Sequence, residues 1–256
     1  MQCPECLKLG IVEGSHFCGQ ECFKSAWKTH KKHHTKTTPV EIVRDDVLLW
    51  SDDMDDQELL FQANGLKNLV APFPYVDKMG RDTGLIISSI NSNDVTIGQR
   101  SCMFALLKEN MKDVYDACSW GWDEKARFKD MSHSNSRFLI ASKPEAPEAI
   151  EAFCMFRFDW DDEEEPEYAV LFVYELQVAA SRRGAGLGRL FMSIVTGFQT
   201  QYCFKKTMLT CFKHNLTALE FYKTIGFGID CNSPSCYGSA DSEYEILSNR
   251  PKKRLA

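Results

Sequence analysis

Two pairs of closely spaced cysteines near the start of the chain, followed by two histidines, are the residues whose types and spacing point most directly to chemistry. Thiolates separated by two or three residues, and imidazoles one helical turn apart, are typical of structural zinc sites. A segment this short has few apolar side chains that could stabilise it without a metal. The pattern therefore predicts a zinc finger with six candidate ligands: Cys3, Cys6, Cys18, Cys22, His30 and His34.

Three strings in this segment resemble the N-terminal zinc finger of type 1 methionine aminopeptidases, which is related to the cross-braced MYND type. They are CPECLKLGI at 3–11, FCGQECFK at 17–24 and WKTH at 27–30. The resemblance ends near residue 34 and does not reach that family's catalytic domain, so aminopeptidase activity is not implied. A cross-braced arrangement would place Cys3 and Cys6 with both histidines, and would need a further cysteine pair, which the family carries upstream, for a second site. A sequential arrangement would instead place all four cysteines in one site.

The composition is that of an ordinary globular protein. Of 256 residues, 44% are hydrophobic and 26% are charged, which excludes disordered, collagen-like and low-complexity classes. The longest apolar stretch near the middle of the chain, Ala169–Tyr174, has six residues, whereas a membrane-spanning helix needs about 20. The first residues lack the basic and apolar regions of a signal peptide, so we expect no membrane partner, a cytoplasmic and nuclear location, and reduced cysteines.

Charge is unevenly distributed along the chain. The net charge of −6 argues against a general nucleic-acid binder, and we expect no direct nucleic-acid readout. Residues 1–38 hold six lysines against three glutamates, so this segment is basic while the remainder is acidic. The sequence therefore predicts a zinc finger over 1–38, a linker over 39–52, a large domain over 53–249 and a basic tail over 250–256.

The large domain shows a mixed order of helices and strands. Apolar residues at steps of three and four predict helices over Met54–Val70 and Ile97–Ala117. Further helices are expected after Gly188 and over Asn215–Thr224, and strands at 136–142, 151–159, 168–178, 206–212 and 243–248. This order predicts an α/β fold.

A glycine-rich turn, Arg-Arg-Gly-Ala-Gly-Leu-Gly at 182–188, connects the strand Tyr168–Val178 to the apolar helix Leu190–Phe198. Such a turn presents unpaired backbone N–H groups and the positive end of the helix dipole to a phosphate. The arginines beside it add positive charge. Because glycines also serve simply as turn and cap residues, the turn alone leaves phosphate binding and a purely structural role open.

This turn, with the segment after residue 214, resembles the two halves of the GNAT acetyltransferase signature, RxxGxG at 183–188 and NxxAxxFYxxxGF at 215–227. The resemblance implies a mixed, mostly antiparallel sheet flanked by helices. It also implies that the strand ending at Val178 pairs with the pantetheine arm of acetyl-CoA, while the turn holds the pyrophosphate. Tyr222 fits either a core aromatic or a catalytic acid, and is placed only near the cofactor. The implied cofactor-binding residues are Leu176, Gln177, Val178, Arg183, Gly184, Ala185, Gly186, Leu187, Gly188, Asn215 and Tyr222.

Further strings resemble the NatD family of N-alpha-acetyltransferases of histone H4 and type-2A histones, including SWGW at 119–122, FRFD at 156–159, YELQ at 174–177 and YEILS at 244–248. The resemblance covers about residues 55–249. It implies acetylation of a Ser-Gly-Arg-Gly N-terminus by direct attack in a ternary complex with acetyl-CoA, with Glu175 as the base. The implied substrate-binding residues are Tyr115, Trp120, Asp159, Tyr174 and Tyr244.

The apolar surroundings of Glu175 favour this role. A glutamate within a strand of apolar residues is less ordinary than a solvated or salt-bridged one, and a carboxylate in a cleft is a candidate general base. Asp159 ends its strand and is the expected ligand of a substrate arginine. By contrast, we expect the acidic run Asp161–Glu165 to be a solvated loop, and Cys211 to be a buried structural cysteine rather than a nucleophile.

Two other functions are compatible with these residues. One is acetylation of lysine or of a small amine by the same domain. The other is an adapter, in which the zinc finger binds the ribosome or a peptide and the large domain is inert. The glycine turn and Glu175 are both present, which favours an enzyme whose partners are histone N-terminal peptides.

Overall fold

The computed structural model describes residues 54–67, 69–162, 164–239 and 241–250. The predicted zinc finger, the linker and all but the first residue of the basic tail lie outside this part of the chain. The described residues contain these α-helices: α1 Asp56–Gly65, α2 Ile97–Asp116, α3 Glu124–Met131, α4 Leu187–Gln201 and α5 Leu216–Thr224. None of the helices in these ranges is long and apolar enough to cross a bilayer.

The strands form one mixed sheet. They are β1 Phe73–Val76, β2 Asp82–Asn91, β3 Arg137–Lys143, β4 Ala146–Trp160, β5 Ala169–Val178, β6 Thr207–Phe212, β7 Gly228–Ile229 and β8 Tyr244–Asn249. Their spatial order is β1-β2-β3-β4-β5-β6-β8-β7. Every neighbouring pair is antiparallel except β5 and β6, which run parallel. The predicted mixed, mostly antiparallel sheet is confirmed.

Helices cover both faces of this sheet. On one face, Leu59 of α1 and Phe191 and Phe198 of α4 belong to a cluster with alternate residues of the central strands. On the other face, Met103 of α2 and Met131 of α3 pack against the intervening residues of the same strands. Burial of each large apolar side chain contributes roughly 1.5–3 kcal/mol, so the two clusters hold the strands in a fixed position between the helices.

The first helix is shorter than the sequence predicts. Apolar periodicity continues to Val70, yet α1 ends at Gly65. The guanidinium of buried Arg137 donates hydrogen bonds to the carbonyl oxygens of Ala63, Asn64 and Leu66, and a cation at a helix C-terminus is favourable. The predicted Met54–Val70 boundary was therefore wrong, because this tertiary contact ends the helix early.

The sheet opens between β5 and β6. The two strands pair only over Leu171 to Val173, opposite residues 207–209. Beyond these pairs β5 continues to Val178 and β6 to Phe212 without further pairing to each other. A cleft therefore opens at the carboxyl ends of the two parallel strands, where ligands commonly bind in α/β sheets.

Candidate active site

A cleft of about 720 Å³ lies where β5 and β6 diverge. Side chains from β5, β6, α2, α3 and α5 line it, so it draws on elements far apart in the sequence. It contains the predicted base and all five predicted substrate residues: Tyr115, Trp120, Asp159, Tyr174, Glu175 and Tyr244. The resemblance-based residues for catalysis and peptide binding are thus brought together in space.

Glu175 is a buried carboxylate in the lining of this cleft. Its side chain is buried, with 8% of the residue exposed, and burial raises its pKa to about 7. Nε2 of Gln177 donates a 2.8 Å hydrogen bond to Oε2 of Glu175, which partly opposes this increase, as does the positive charge of Arg127. A carboxylate whose pKa lies near neutral pH is well matched to accept a proton there.

Aromatic side chains form one wall of the cleft. The ring of Trp120 lies 5.1 Å from those of both Phe212 and Tyr244, edge to face. The segment that carries Trp120 is held in place because the backbone N–H of Ser119 donates to the carboxylate of Glu243. Trp120 remains 48% exposed, so this wall offers an apolar surface that a peptide backbone or a small side chain would cover.

Helix α3, which the sequence analysis did not predict, contributes two charged residues to the cleft. Nη1 of Arg127 donates a 2.9 Å hydrogen bond to the Tyr115 hydroxyl, and Asp130 lies within 3.5 Å of the same guanidinium. The available signal was weak: Asp123 caps a short, charged helix with little apolar periodicity.

The opposite end of the cleft is acidic. Asp159, Asp161, Asp162 and Glu164 line it. Both oxygens of Asp159 accept hydrogen bonds, Oδ1 from the backbone of Trp160 and Oδ2 from the Tyr174 hydroxyl. Fixed carboxylates at the end of a cleft favour a cationic ligand, since a guanidinium pairs well with two carboxylate oxygens.

The expectation of a wholly solvated acidic run was wrong for Asp161. This residue is buried, and its Oδ2 lies 3.6 Å from Nζ of Lys206, which also contacts Asp230 at 3.0 Å. Its Oδ1 accepts backbone hydrogen bonds from residues 167 and 168. A buried charge needs such partners, so Asp161, which also lines the cleft, is already paired, whereas Asp162 and Glu164 are exposed.

The glycine turn precedes α4 at the far end of β5. Gly184 and Gly186 have φ values of 76° and 103°, a region that favours glycine. A Cβ on Gly186 would lie 3.1 Å from the Tyr75 hydroxyl, which itself donates to the carbonyl of Ala185. Gly186 is also the N-cap of α4 and offers no side-chain acceptor. The first N–H groups of the helix are therefore free of a side-chain cap, as an anion site requires.

The predicted cofactor residues form two groups in space. Those that line the cleft are Leu176, Gln177, Asn215 and Tyr222. Those beyond its lining, at the end of β5 and in the turn, are Val178, Arg183, Gly184, Ala185, Gly186, Leu187 and Gly188. An extended ligand that joins both groups would run along β5, so the arrangement fits a phosphate-bearing cofactor with a long arm.

Other polar groups of this region have structural roles. Oδ1 of Asn215 accepts a hydrogen bond from the backbone of Ala218 and caps α5. Burial raises the pKa of Cys211 to about 11, which agrees with a structural cysteine, because the thiolate is the reactive form. Tyr222 is also buried, and desolvation holds its pKa well above the usual value.

A wider concavity of about 1110 Å³ lies beside α1. Its lining combines apolar and amide side chains with Lys67 and Asp159, and it contains no buried carboxylate comparable with Glu175. We therefore locate the candidate active site in the cleft. Within the described ranges, no group of three or more His, Cys, Asp or Glu side chains is arranged to hold a metal ion, and the six predicted zinc ligands lie outside these ranges.

Two family models match this chain. Residues 104–227 match the acetyltransferase (GNAT) family, and residues 1–36 match a MYND-like zinc finger described as mRNA-binding. The chain therefore has the GNAT fold, and its N-terminal residues are similar to a MYND-like zinc finger. The predictions of fold class and of a finger are confirmed, whereas the ligand pairing in the finger stays a prediction.

Solved structures with similarity to this chain include three acetyltransferases. A nourseothricin acetyltransferase is 21% identical over 45% of this chain, with a TM-score of 0.35, and the chain spans 65% of that protein's length. A GNAT acetyltransferase from Staphylococcus aureus Mu50 is 14% identical over 65% of this chain and 99% of its own, with a TM-score of 0.48. The NatC complex bound to Gag peptide and CoA is 13% identical over 66% and 99%, with a TM-score of 0.47.

Proposed function

We propose that the GNAT domain transfers an acetyl group from acetyl-CoA to the N-terminal amine of histone H4 and type-2A histones, which begin Ser-Gly-Arg-Gly. The observation that carries this proposal is the position of Glu175, a buried carboxylate with a pKa near 7 in a cleft with an acidic end. The resemblance to the NatD family supplies the identity of the peptide.

The chemistry supports an α-amine in preference to lysine. The attacking amine must be neutral, and an α-amino group with a pKa of about 7.8 is roughly one-fifth neutral near pH 7.2, whereas a lysine at about 10.4 is almost fully charged. A single modest base is then sufficient. The amine attacks the thioester carbonyl, the C–N bond forms as the C–S bond breaks, and the proton of the amine passes to Glu175, directly or through water.

The acetyl donor would occupy both groups of predicted cofactor residues. Its pyrophosphate would meet the N–H groups of the turn around Gly186, with Arg183 beside it. Its arm would follow β5 toward Gln177 and Leu176, where β6 has diverged and leaves the strand edge unpaired. Acetyl-CoA supplies the activated acyl group; this chain's residues hold the donor, orient the amine and accept the proton.

The acidic end of the cleft supports a basic peptide. Asp159 is the residue we assign to the arginine at the third position, and the wall around Trp120 would frame the first two residues. Larger side chains at those positions would fill the space that Ser and Gly leave. A small monoamine has its single nitrogen at the thioester and no second cation for the acidic end, which is why we prefer a basic peptide.

The test is acetyl-CoA turnover by the full chain on matched peptides. A Ser-Gly-Arg-Gly peptide should be acetylated, a Ser-Gly-Ala-Gly peptide should be poor, and an N-terminally blocked peptide with internal lysines should be inactive. Mass spectrometry locates the acetyl group on the α-amine or on a lysine. Equal turnover of the blocked peptide would establish lysine acetylation instead, and no turnover on any amine would favour the inert adapter.

The finger carries a second proposal, because the family it matches is described as mRNA-binding. The net charge of the chain led us to expect no nucleic-acid readout, yet residues 1–38 are basic. We propose that this segment recruits the enzyme to the ribosome or its RNA, in the cytoplasm and the nucleus. Co-sedimentation with ribosomes, compared between the full chain and residues 39–256, tests it, and equal co-sedimentation would contradict it.

A further inference from the structure

A chain of hydrogen bonds connects the glycine turn to Glu175. Nη2 of Arg183 donates to Oδ1 of Asn110 at 2.6 Å, and Nδ2 of Asn110 donates to Oε1 of Gln177 at 3.0 Å. Nε2 of Gln177 then donates to Oε2 of Glu175 at 2.8 Å. Asn110 belongs to α2, outside every motif of the sequence, and is the link between the turn and β5.

The direction of this chain is set at its arginine end. A guanidinium has only donors, so the atom of Asn110 that faces Arg183 must be its oxygen. The amide group of Asn110 then faces Gln177, whose oxygen must accept, and the amide group of Gln177 is left to donate to Glu175. The orientation of both amides therefore follows from the chemistry of Arg183.

We propose that Asn110 is a positioning residue that fixes the amide of Gln177 as a donor to Glu175 and thereby keeps this base able to accept a proton. The proposal rests on the proposed function, in which Glu175 is the base. With Oε2 held by Gln177, Oε1 is the oxygen that takes the proton from the amine.

The reversed orientation of Gln177 would oppose the reaction. It would place an amide oxygen against the carboxylate, and a buried pair of acceptors favours the protonated acid. The other groups that act on Glu175 do not replace this contact. Arg127 favours the charged form and Asp130 opposes it, while three groups from α2, β4 and α5 have raised pKa values and are neutral: Tyr115, Cys154 and Tyr222.

Asn110→Asp reverses the direction of these hydrogen bonds and keeps almost the same side-chain shape. The new carboxylate still accepts from Arg183 and loses the hydrogen bond that the Asn110 amide donates to the Val178 carbonyl at 3.3 Å. It also accepts from Gln177, whose amide must turn and present its oxygen to Glu175. We expect the titration midpoint of Glu175 to rise by about one pH unit, because a hydrogen bond that stabilises the charged carboxylate is replaced by contact with an amide oxygen.

The midpoint is measured in the full chain without acetyl-CoA, by the side-chain 13C signal of Glu175 during a pH titration. Glu175→Gln identifies that signal by removing it. The acid limb of the pH profile of kcat/KM on the Ser-Gly-Arg-Gly peptide should move to higher pH by the same amount. At pH 7, kcat/KM of Asn110→Asp should be about fivefold or more below that of the unmodified protein. Near pH 9 the two proteins should no longer differ.

We call the hydrogen bonds that run from Arg183 through Asn110 and Gln177 to Glu175 the relay. A double-mutant cycle separates the effect of the relay on the Glu175 midpoint from the effect of the added negative charge. Leucine at position 177 has no amide that could turn toward Glu175. In a Gln177→Leu background, Asn110→Asp should therefore shift the midpoint of Glu175 by less than about a third of a pH unit. Ser101→Asp, on the exposed side of α2, adds the same charge without the relay and should leave the midpoint unchanged. An equal shift with and without Gln177, or no shift in either, would overturn the proposal.

Two further results keep the outcome decisive. Should Asn110→Asp fail to fold, Gln177→Leu alone must raise the midpoint, and an unchanged midpoint there also overturns the relay. If Glu175→Gln leaves kcat unaltered, the proposed base is wrong. If it lowers kcat while Asn110→Asp behaves as the unmodified protein, only the relay is wrong.

Discussion

Tyr174 and Glu175 are neighbours in the chain, yet both side chains line the same cleft. In a regular strand, successive side chains point to opposite faces. Here Met155 pairs with Glu175 and Phe156 pairs with Val173, which leaves Tyr174 as an extra residue in β5. This β-bulge directs the Tyr174 hydroxyl toward Asp159 without removing Glu175 from the lining of the cleft, as bulges next to active sites often do.

Replacement of Glu175 by glutamine should remove the base while the size of the side chain is kept. We expect kcat on the Ser-Gly-Arg-Gly peptide to fall by roughly a hundredfold or more, because general-base catalysis contributes about that much. Binding of acetyl-CoA, measured by calorimetry, should persist, since none of the turn residues changes. An unaltered kcat would transfer the role of the base to water or to another residue.

The same replacement should change how stability depends on pH. The pKa of Glu175 is raised from 4.5 to about 7 in the folded protein, so the folded state prefers the protonated form. The stabilisation of the folded protein by protonated Glu175 is complete below about pH 4.5 and is lost as the pH rises through 7. Glutamine stays neutral at every pH. The free energy of unfolding of the variant, relative to that of the parent, should therefore increase by roughly 2–3 kcal/mol between pH 5 and pH 8.

Urea unfolding of both proteins at pH 5 and pH 8 measures this effect. Glu109→Gln is the matched control for the loss of a carboxylate, because Glu109 is an exposed glutamate on α2. Equal pH dependence in the parent and in the Glu175 variant would mean that the carboxylate is not buried as the structure places it.

Periodicity and glycine chemistry predict the elements that carry the site. The helix over Ile97–Ala117 is observed as Ile97–Asp116, and the predicted strands at 168–178 and 206–212 are observed as β5 and β6. Their long apolar runs give a strong signal. The first two strands and α3 were missed, because β2 is half-buried along most of its length and α3 is largely charged.

The geometry of the site depends on contacts that no local pattern reports. The bulge at Tyr174 is a property of strand pairing, so the sequence alone did not predict it. Asn110 illustrates the same limit: a single amide within a helix has no signature, and its role follows only from the positions of Arg183 and Gln177. The cleft residues were instead found by resemblance to a family.

The finger prediction rests on the spacing of its cysteines and histidines. We expect about one tightly held zinc ion per chain, and its removal by a chelator should unfold residues 1–34, because metal binding supplies the folding free energy of such small domains. Acetylation of a free peptide should be largely unaffected. Metal analysis of protein purified without chelator tests the first point, and an absence of zinc would reject it.

The last prediction concerns recognition of the substrate arginine. A guanidinium taken into a cleft needs a carboxylate of fixed geometry, because an unpaired buried charge is costly. Asp159 has that geometry, since Trp160 and Tyr174 donate to its two oxygens at 3.0 and 3.2 Å. Asp159→Ala should therefore lower kcat/KM on Ser-Gly-Arg-Gly by roughly 2–5 kcal/mol in transition-state free energy.

A double-mutant cycle assigns that loss to the arginine. A peptide with alanine at the third position should already be poor and should lose little more in the Asp159 variant, because the interaction is absent from both. Glu164→Ala is the matched control at the exposed acidic end, and its effect should be small and reduced by salt, since surface charges are screened. Additive losses would mean that Asp159 does not touch the arginine. Asp161 would not be the alternative, because Lys206 already pairs with it, so the arginine would then be assigned to Asp162 or Glu164.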